Sequence, residues 1–145
     1  MNLTQQERMV LKFQYPLSDQ DVIFFDGLRD GELRGFECDQ CGLCYAPPRP
    51  NCTRCLRELS KWHPLEPTGT IRAMTVVMEA FPELPKPPYT LAYVQPEGAD
   101  TCILNYVKGV RLGEDGAPSP GVGERVRIRF KTRRSGRITD FYFSR

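Results

Sequence analysis

Apolar positions change their period along the chain. Near the start, Phe24 and Leu28 fall one helical turn apart with Phe25 beside them, the spacing of one helix face. Ser18 or Asp19 can cap the start of this helix, acids follow in its first turn, and Gly31 offers a stop. Beyond residue 66 the period shortens to two. Residues 125–132 alternate cleanly, with Val126, Ile128 and Phe130 inward and Arg125, Arg127, Arg129 and Lys131 outward. Residues 70–78, 89–95, 101–107 and 138–143 also read as strands, with Tyr89, Leu91 and Tyr93 sharing one side of the second. Five strands in about 80 residues suit a small barrel of the OB type. Two long loops, 81–88 and 108–123, rich in proline or glycine, interrupt them. Loops of that kind on a rigid barrel commonly carry binding.

Between the helix and the strands, regular periodicity gives way to cysteine. Cys38, Cys41, Cys52 and Cys55 follow the pattern C-x2-C-x10-C-x2-C. Two intervening residues let both sulfurs of a pair turn to one point, and two such knuckles supply the four thiolates that tetrahedral zinc prefers. Four protein ligands leave no open position, so the metal is structural rather than catalytic. Gly42 permits a tight knuckle, and Pro47, Pro48 and Pro50 stiffen the return. So short a segment cannot bury a sufficient core, and zinc binding worth about 10–16 kcal/mol in small modules substitutes for one. The expected organisation is a helical segment over 1–35, a zinc ribbon over 36–65 and a barrel over 66–145. Trp62, the only tryptophan, is expected at the junction of ribbon and barrel.

Composition is that of an ordinary folding chain, 40% apolar and 26% charged over 145 residues. The opening residues show no basic-then-apolar leader, and no apolar run reaches membrane-spanning length. A cytoplasmic location is therefore expected, which favours metal ligation over disulfides or iron at the cysteines. The net charge of +2 conceals a gradient. Residues 1–37 hold seven acids against four bases, whereas residues 124–145 hold eight bases against two acids. The outward row Arg125, Arg127, Arg129 and Lys131 has two readings: solvation of a barrel edge, or contact with a partner or with phosphates. Phe24, Phe25 and Leu28 likewise serve either to dock the helix on its own chain or to bind a partner subunit.

Signs of covalent chemistry are scarce. His63 is the lone histidine and reads as a surface or packing residue. Cys44 sits inside the ribbon loop, outside the two symmetric pairs, and Cys102 lies among apolar strand neighbours as a small core residue. No nucleophile elbow, phosphate-binding glycine loop or zinc-protease helix motif is present.

Several stretches together resemble the acyl-CoA-associated OB-fold family. They are Phe24-Phe25-Asp26-Gly27-Leu28, Gly31-Glu32-Leu33, Cys38-Asp39-Gln40-Cys41-Gly42, Pro47-Pro48-Arg49, Cys52-Thr53-Arg54-Cys55, Trp62, Gly69-Thr70-Ile71 and Val122-Gly123-Glu124-Arg125-Val126. The similarity runs from residue 19 to residue 143 and leaves the tail before Ser18 unexplained. The resemblance implies a non-catalytic, zinc-containing small subunit that accompanies a thiolase or thiolase-like acyltransferase in a two-plus-two heterotetramer. It implies that the large subunit owns the nucleophilic cysteine, while the small one completes the complex and borders the acyl-CoA entrance. The favoured member is the small subunit of benzoylsuccinyl-CoA thiolase from anaerobic toluene breakdown. A different class, a single-stranded nucleic-acid binder, would need aromatic rings on the basic face. The pI of about 8.2 is low for that role.

Overall fold

The computed structural model of the chain describes residues 14–145, so residues 1–13 of the expected helical segment lie outside the described residues. The first element, α1, spans Asp19–Asp30. Ser18 caps it: its hydroxyl accepts from the Asp21 amide at 3.1 Å, and the Asp21 carboxylate accepts from the Ser18 amide at 2.9 Å. Gly31 ends it at φ 87°, where a side chain would be strained, and its N–H returns to the last carbonyls.

Three short strands form the ribbon sheet: β1 (Arg34–Glu37), β2 (Cys44–Tyr45) and β3 (Lys61–Pro64), in the order β2-β1-β3. Arg34 leaves β1 and lies across α1. Its guanidinium bonds Asp30 at 2.9 Å and the Ile23 carbonyl at 3.1 Å, and stacks 4.5 Å from the Trp62 ring centroid. A Cβ on Gly27 would meet the Arg34 side chain at 2.8 Å, so this glycine makes room for the crossing. Trp62 is therefore a ribbon residue, 39% exposed, stacked on Arg34. Hydrogen bonds across the ribbon–barrel junction come instead from small polar groups. Asp100 accepts from the Cys44 amide at 2.8 Å, and Thr101 bonds both the N–H and the carbonyl of Ala46, at 2.8 and 2.9 Å.

The barrel contains β4 (Thr68–Val77), β5 (Tyr89–Pro96), β6 (Ile103–Lys108), β9 (Arg125–Phe130) and β10 (Phe141–Ser144). A small hairpin, β7 (Arg111–Leu112) with β8 (Pro118–Ser119), stands within the second long loop. The barrel closes in the order β10-β6-β5-β4-β9, with β10 parallel to β6 and the other pairs antiparallel. The protein is thus mainly β with an N-terminal helix, a four-cysteine ribbon and a five-stranded OB-type barrel. Its core includes Ile71, Val94, Ile103, Val126, Ile128, Phe141 and Phe143, all buried. In β5 the smaller alternate set, Thr90, Ala92 and Val94, faces inward, and Tyr93 is exposed. Gly69 lies where β4 meets β5; a Cβ there would fall 2.6 Å from the Gln95 carbonyl.

Candidate functional site

Each metal knuckle is built by its own backbone. In the first, the Cys38 amide donates to the Leu43 carbonyl at 2.9 Å and the Gly42 amide to the Cys38 carbonyl at 2.8 Å. The second repeats this pattern from the Cys52 amide to Arg57 and from the Leu56 amide to Cys52, at 2.8 and 3.0 Å. Leu56 takes the place of Gly42 and adopts the same left-handed backbone, φ 63° against 66°.

The sulfurs of Cys38, Cys41, Cys52 and Cys55 lie within 4.8 Å of one another, and Cys38 and Cys55 approach to 3.5 Å. A disulfide needs about 2.0 Å, and a zinc tetrahedron with bonds of about 2.3 Å has sulfur–sulfur edges of about 3.8 Å. The set therefore fits zinc. When bound, the ion would act as a four-way cross-link between the knuckles. Cys44 is buried on β2, outside the cluster, and burial pushes its thiol up to about 11, with Asp100 and Glu37 adding to the effect. Burial also raises the Cys102 thiol. Both have the character of unreactive cysteines.

The protons are unevenly held in the cluster. The Tyr45 hydroxyl, followed by the Cys55 backbone N–H, pulls Cys52 down to about 6. Burial, followed by the hydrogen bonds of Cys55, Cys52 and Cys38, pushes Cys41 up to about 12. Tyr45 is the residue that spacing does not reveal. Its hydroxyl lies 3.4 Å from the Cys52 sulfur and 3.0 Å from the Thr53 hydroxyl, and it accepts from the Thr53 amide at 3.2 Å. It orients a ligand from outside the ligand set. An aromatic residue seven positions before Cys52 was the available signal.

The helix residues separate. Phe24 and Leu28 are buried within the chain, at 2% and 0% exposure, so the partner-facing reading is corrected for these two side chains: they dock the helix on its own fold. Phe25 is half-buried and lines an apolar groove of about 910 Å³ with Tyr15, Leu17, Pro48 and Ile138. Tyr15, Leu17 and Ile138 are 61%, 48% and 38% exposed.

The basic row also separates. Arg125 pairs with Glu97, and Arg127 and Arg129 are exposed on β9. Lys131 stands beyond the strand, at the mouth of a second pocket. Between groove and pocket runs the turn 135–140, held by one carboxylate oxygen. Buried Asp140 accepts from the amides of Ser135, Gly136 and Arg137 at 2.8, 2.6 and 2.9 Å. Burial works to raise its pKa; these three donors and Lys131 outweigh it and hold the carboxyl below its ordinary value of 3.8.

No helix among the described residues is long and apolar enough to cross a membrane. No protein-family model matches the chain, and no curated protein matches it. Solved structures do. One is a chain described as the Ltp2-ChsH2(DUF35) aldolase, 16% identical, covering 90% of this chain and 96% of that one, with a TM-score of 0.66. Another is a DUF35-family protein of unknown function from Sulfolobus solfataricus, 19% identical, covering 87% of this chain and 84% of that one, with a TM-score of 0.66. The chain has the fold that these DUF35 structures share.

Proposed function

We propose that this protein is an accessory subunit of an acyl-CoA enzyme complex, holding its partner through the groove beside α1. The partner is a thiolase or thiolase-like acyltransferase, in a two-plus-two assembly, and the carbon–carbon bond chemistry belongs to that partner's nucleophilic cysteine. Within this class the favoured activity is that of an aromatic-acylsuccinyl-CoA thiolase such as benzoylsuccinyl-CoA thiolase. One observation carries the reading: Tyr15, Leu17, Phe25 and Ile138 line one groove with Pro47 and Pro48 of the ribbon, and Tyr15, Leu17 and Ile138 are exposed there. The shared fold with a chain of the two-component Ltp2-ChsH2(DUF35) aldolase supports it, as do the motifs that resemble the acyl-CoA-associated family. Phe25 is the one of the three expected helix residues left to meet a partner. Arg127 and Arg129 would face the partner or the acyl-CoA entrance.

The test is copurification from the native cell with the tagged full chain, followed by mass determination of the complex. A thiolase-like large subunit is expected in equal amount, and Leu17→Glu with Ile138→Glu should release it while leaving zinc content unchanged. Recovery of the chain alone, together with full thiolase activity in cells lacking it, would refute the reading. Tight, salt-sensitive oligonucleotide binding would favour the nucleic-acid alternative instead.

A further inference from the structure

On the outside of the barrel, β4, β5 and β6 present a face with no charge through its middle. The register sets it out in rows: Ala73 beside Tyr93 beside Leu104, and Thr75 beside Leu91 beside Tyr106. The alternate side chains of β5 and β6, including Ala92, Val94 and Ile103, are buried in the core, so these rows point outward. Tyr93 is 49% exposed and Leu104 46%, and Ala73 and Thr75 are exposed beside them. The charges at the ends of the face are already engaged. Arg72 donates to Gln95 at 2.9 Å, and the Lys108 ammonium sits 3.9 Å from the Tyr142 ring centroid, over β10.

The extent of the face calls for a cover. A half-exposed tyrosine leaves about 100 Å² open to water. On that scale the face offers on the order of 500 Å², the size of patch that marks a contact site on a monomer. Two such faces together bury about 1,000 Å², the lower limit of a specific interface.

Its shape indicates which cover. Bulk is divided unequally about the central strand: β4 contributes small Ala73 and Thr75, and β6 contributes large Leu104 and Tyr106. A two-fold axis along β5 keeps each row at its own level and exchanges β4 with β6. Ala73 of one copy then lies over Leu104 of the second copy, and Thr75 over Tyr106. Leu91 and Tyr93 meet their own counterparts. Large falls on small in both flanking positions of each row, as two sheets about 10 Å apart require. No charges meet within these rows. The outer face of β9 has no such fit, because exposed Arg127 and Arg129 would meet the same charges on a second copy.

We infer that a second copy of this chain covers the β4–β5–β6 face, in a two-fold dimer about β5. The large subunit proposed above is not needed for this contact, and the groove beside α1 shares no residue with these rows.

Sedimentation velocity of the zinc-loaded full chain, without partner, from low micromolar to millimolar concentration tests this. A reversible monomer–dimer equilibrium is expected. Tyr93→Glu and Leu104→Glu, both at exposed positions, should each weaken it at least about tenfold, with circular dichroism and zinc content unchanged. Ala73→Lys should weaken it as well, and Ala73→Lys combined with Leu104→Glu in one chain should recover part of the loss, because the axis brings those positions together across the interface. Leu17→Glu with Ile138→Glu, in the groove, should leave it unchanged. A monomer at every concentration, a dimer indifferent to Tyr93→Glu and Leu104→Glu, or a dimer lost only with the groove variant overturns the inference. Loss of a copurified large subunit with Leu104→Glu would also overturn it, by giving the face to that partner. Because no partner is present in the sedimentation experiment, a failed copurification leaves its result standing, and a monomeric chain leaves the partner question to its own test.

Discussion

Asp140 shows how much one side chain can organise. A single oxygen holds three consecutive amides and thereby shapes the turn between groove and pocket. Asp140→Ala strands those donors, and a loss of about 3 kcal/mol is expected in urea unfolding. Asp140→Asn retains an acceptor but not the charge, and should cost about half as much. The folded pKa is depressed, so the charged form stabilises the fold above the ordinary carboxylate range, and that contribution is lost as pH falls through the lowered value. The stability gap between the natural protein and Asp140→Asn should therefore narrow on acidification; a gap independent of pH would contradict this. Leu56 is the opposite case, a residue at odds with its backbone. It is 77% exposed and left-handed, with φ 63°. Leu56→Gly relieves a strain of about 1 kcal/mol and should raise the melting temperature of the zinc-loaded protein.

At the scale of elements, the helix and the ribbon are joined to the barrel by few but well-placed bonds. Gln20 donates to the Leu59 carbonyl at 2.9 Å, tying α1 to the second knuckle, and Arg134 donates to the Arg29 carbonyl at 2.8 Å, tying its end to the barrel. Across the junction, Thr101 serves Ala46 as a strand neighbour would, bonding both its amide and its carbonyl. Thr101→Val keeps the shape but leaves two buried backbone groups unpaired, and should cost about 2–3 kcal/mol. Hydrogen exchange locates the damage: Ala46 and its neighbours should exchange faster while the β4–β5 amides hold. Uniform loss of protection would mean that the junction is not a separable element.

For the molecule as a whole, the division of labour is between a metal and a hydrophobic core. The barrel contributes Ile71, Val94, Ile128, Phe141 and Phe143 to the buried core, whereas the ribbon adds only a few large side chains, Phe36, Tyr45 and Leu59, beside its four-cysteine cluster. One zinc per chain is expected by mass spectrometry under native conditions. Chelation should unfold the ribbon and release α1, with protection retained in β4, β5 and β6. Collapse of the entire chain on chelation would show that the barrel depends on the metal too. Zinc must displace protons from the thiols, Cys41 holding its proton most strongly, so metal affinity falls as pH falls.

Much of this was legible in the residues themselves. The cysteine pairs, a helix start at Ser18 or Asp19, the Gly31 stop and the alternation of Val126, Ile128 and Phe130 are determined over a few positions, where covalent geometry and strand or helix period leave little freedom. Contacts between distant segments had no such local signature. Which face of β5 turns inward, the sealing of Phe24 and Leu28, the bond of Tyr45 to Cys52, the withdrawal of Trp62 onto Arg34 and the seating of Lys108 over Tyr142 depended on how the chain closes on itself. Local pattern sets what each segment can be; only packing, through loops whose length carries no directional information, decides which residues meet.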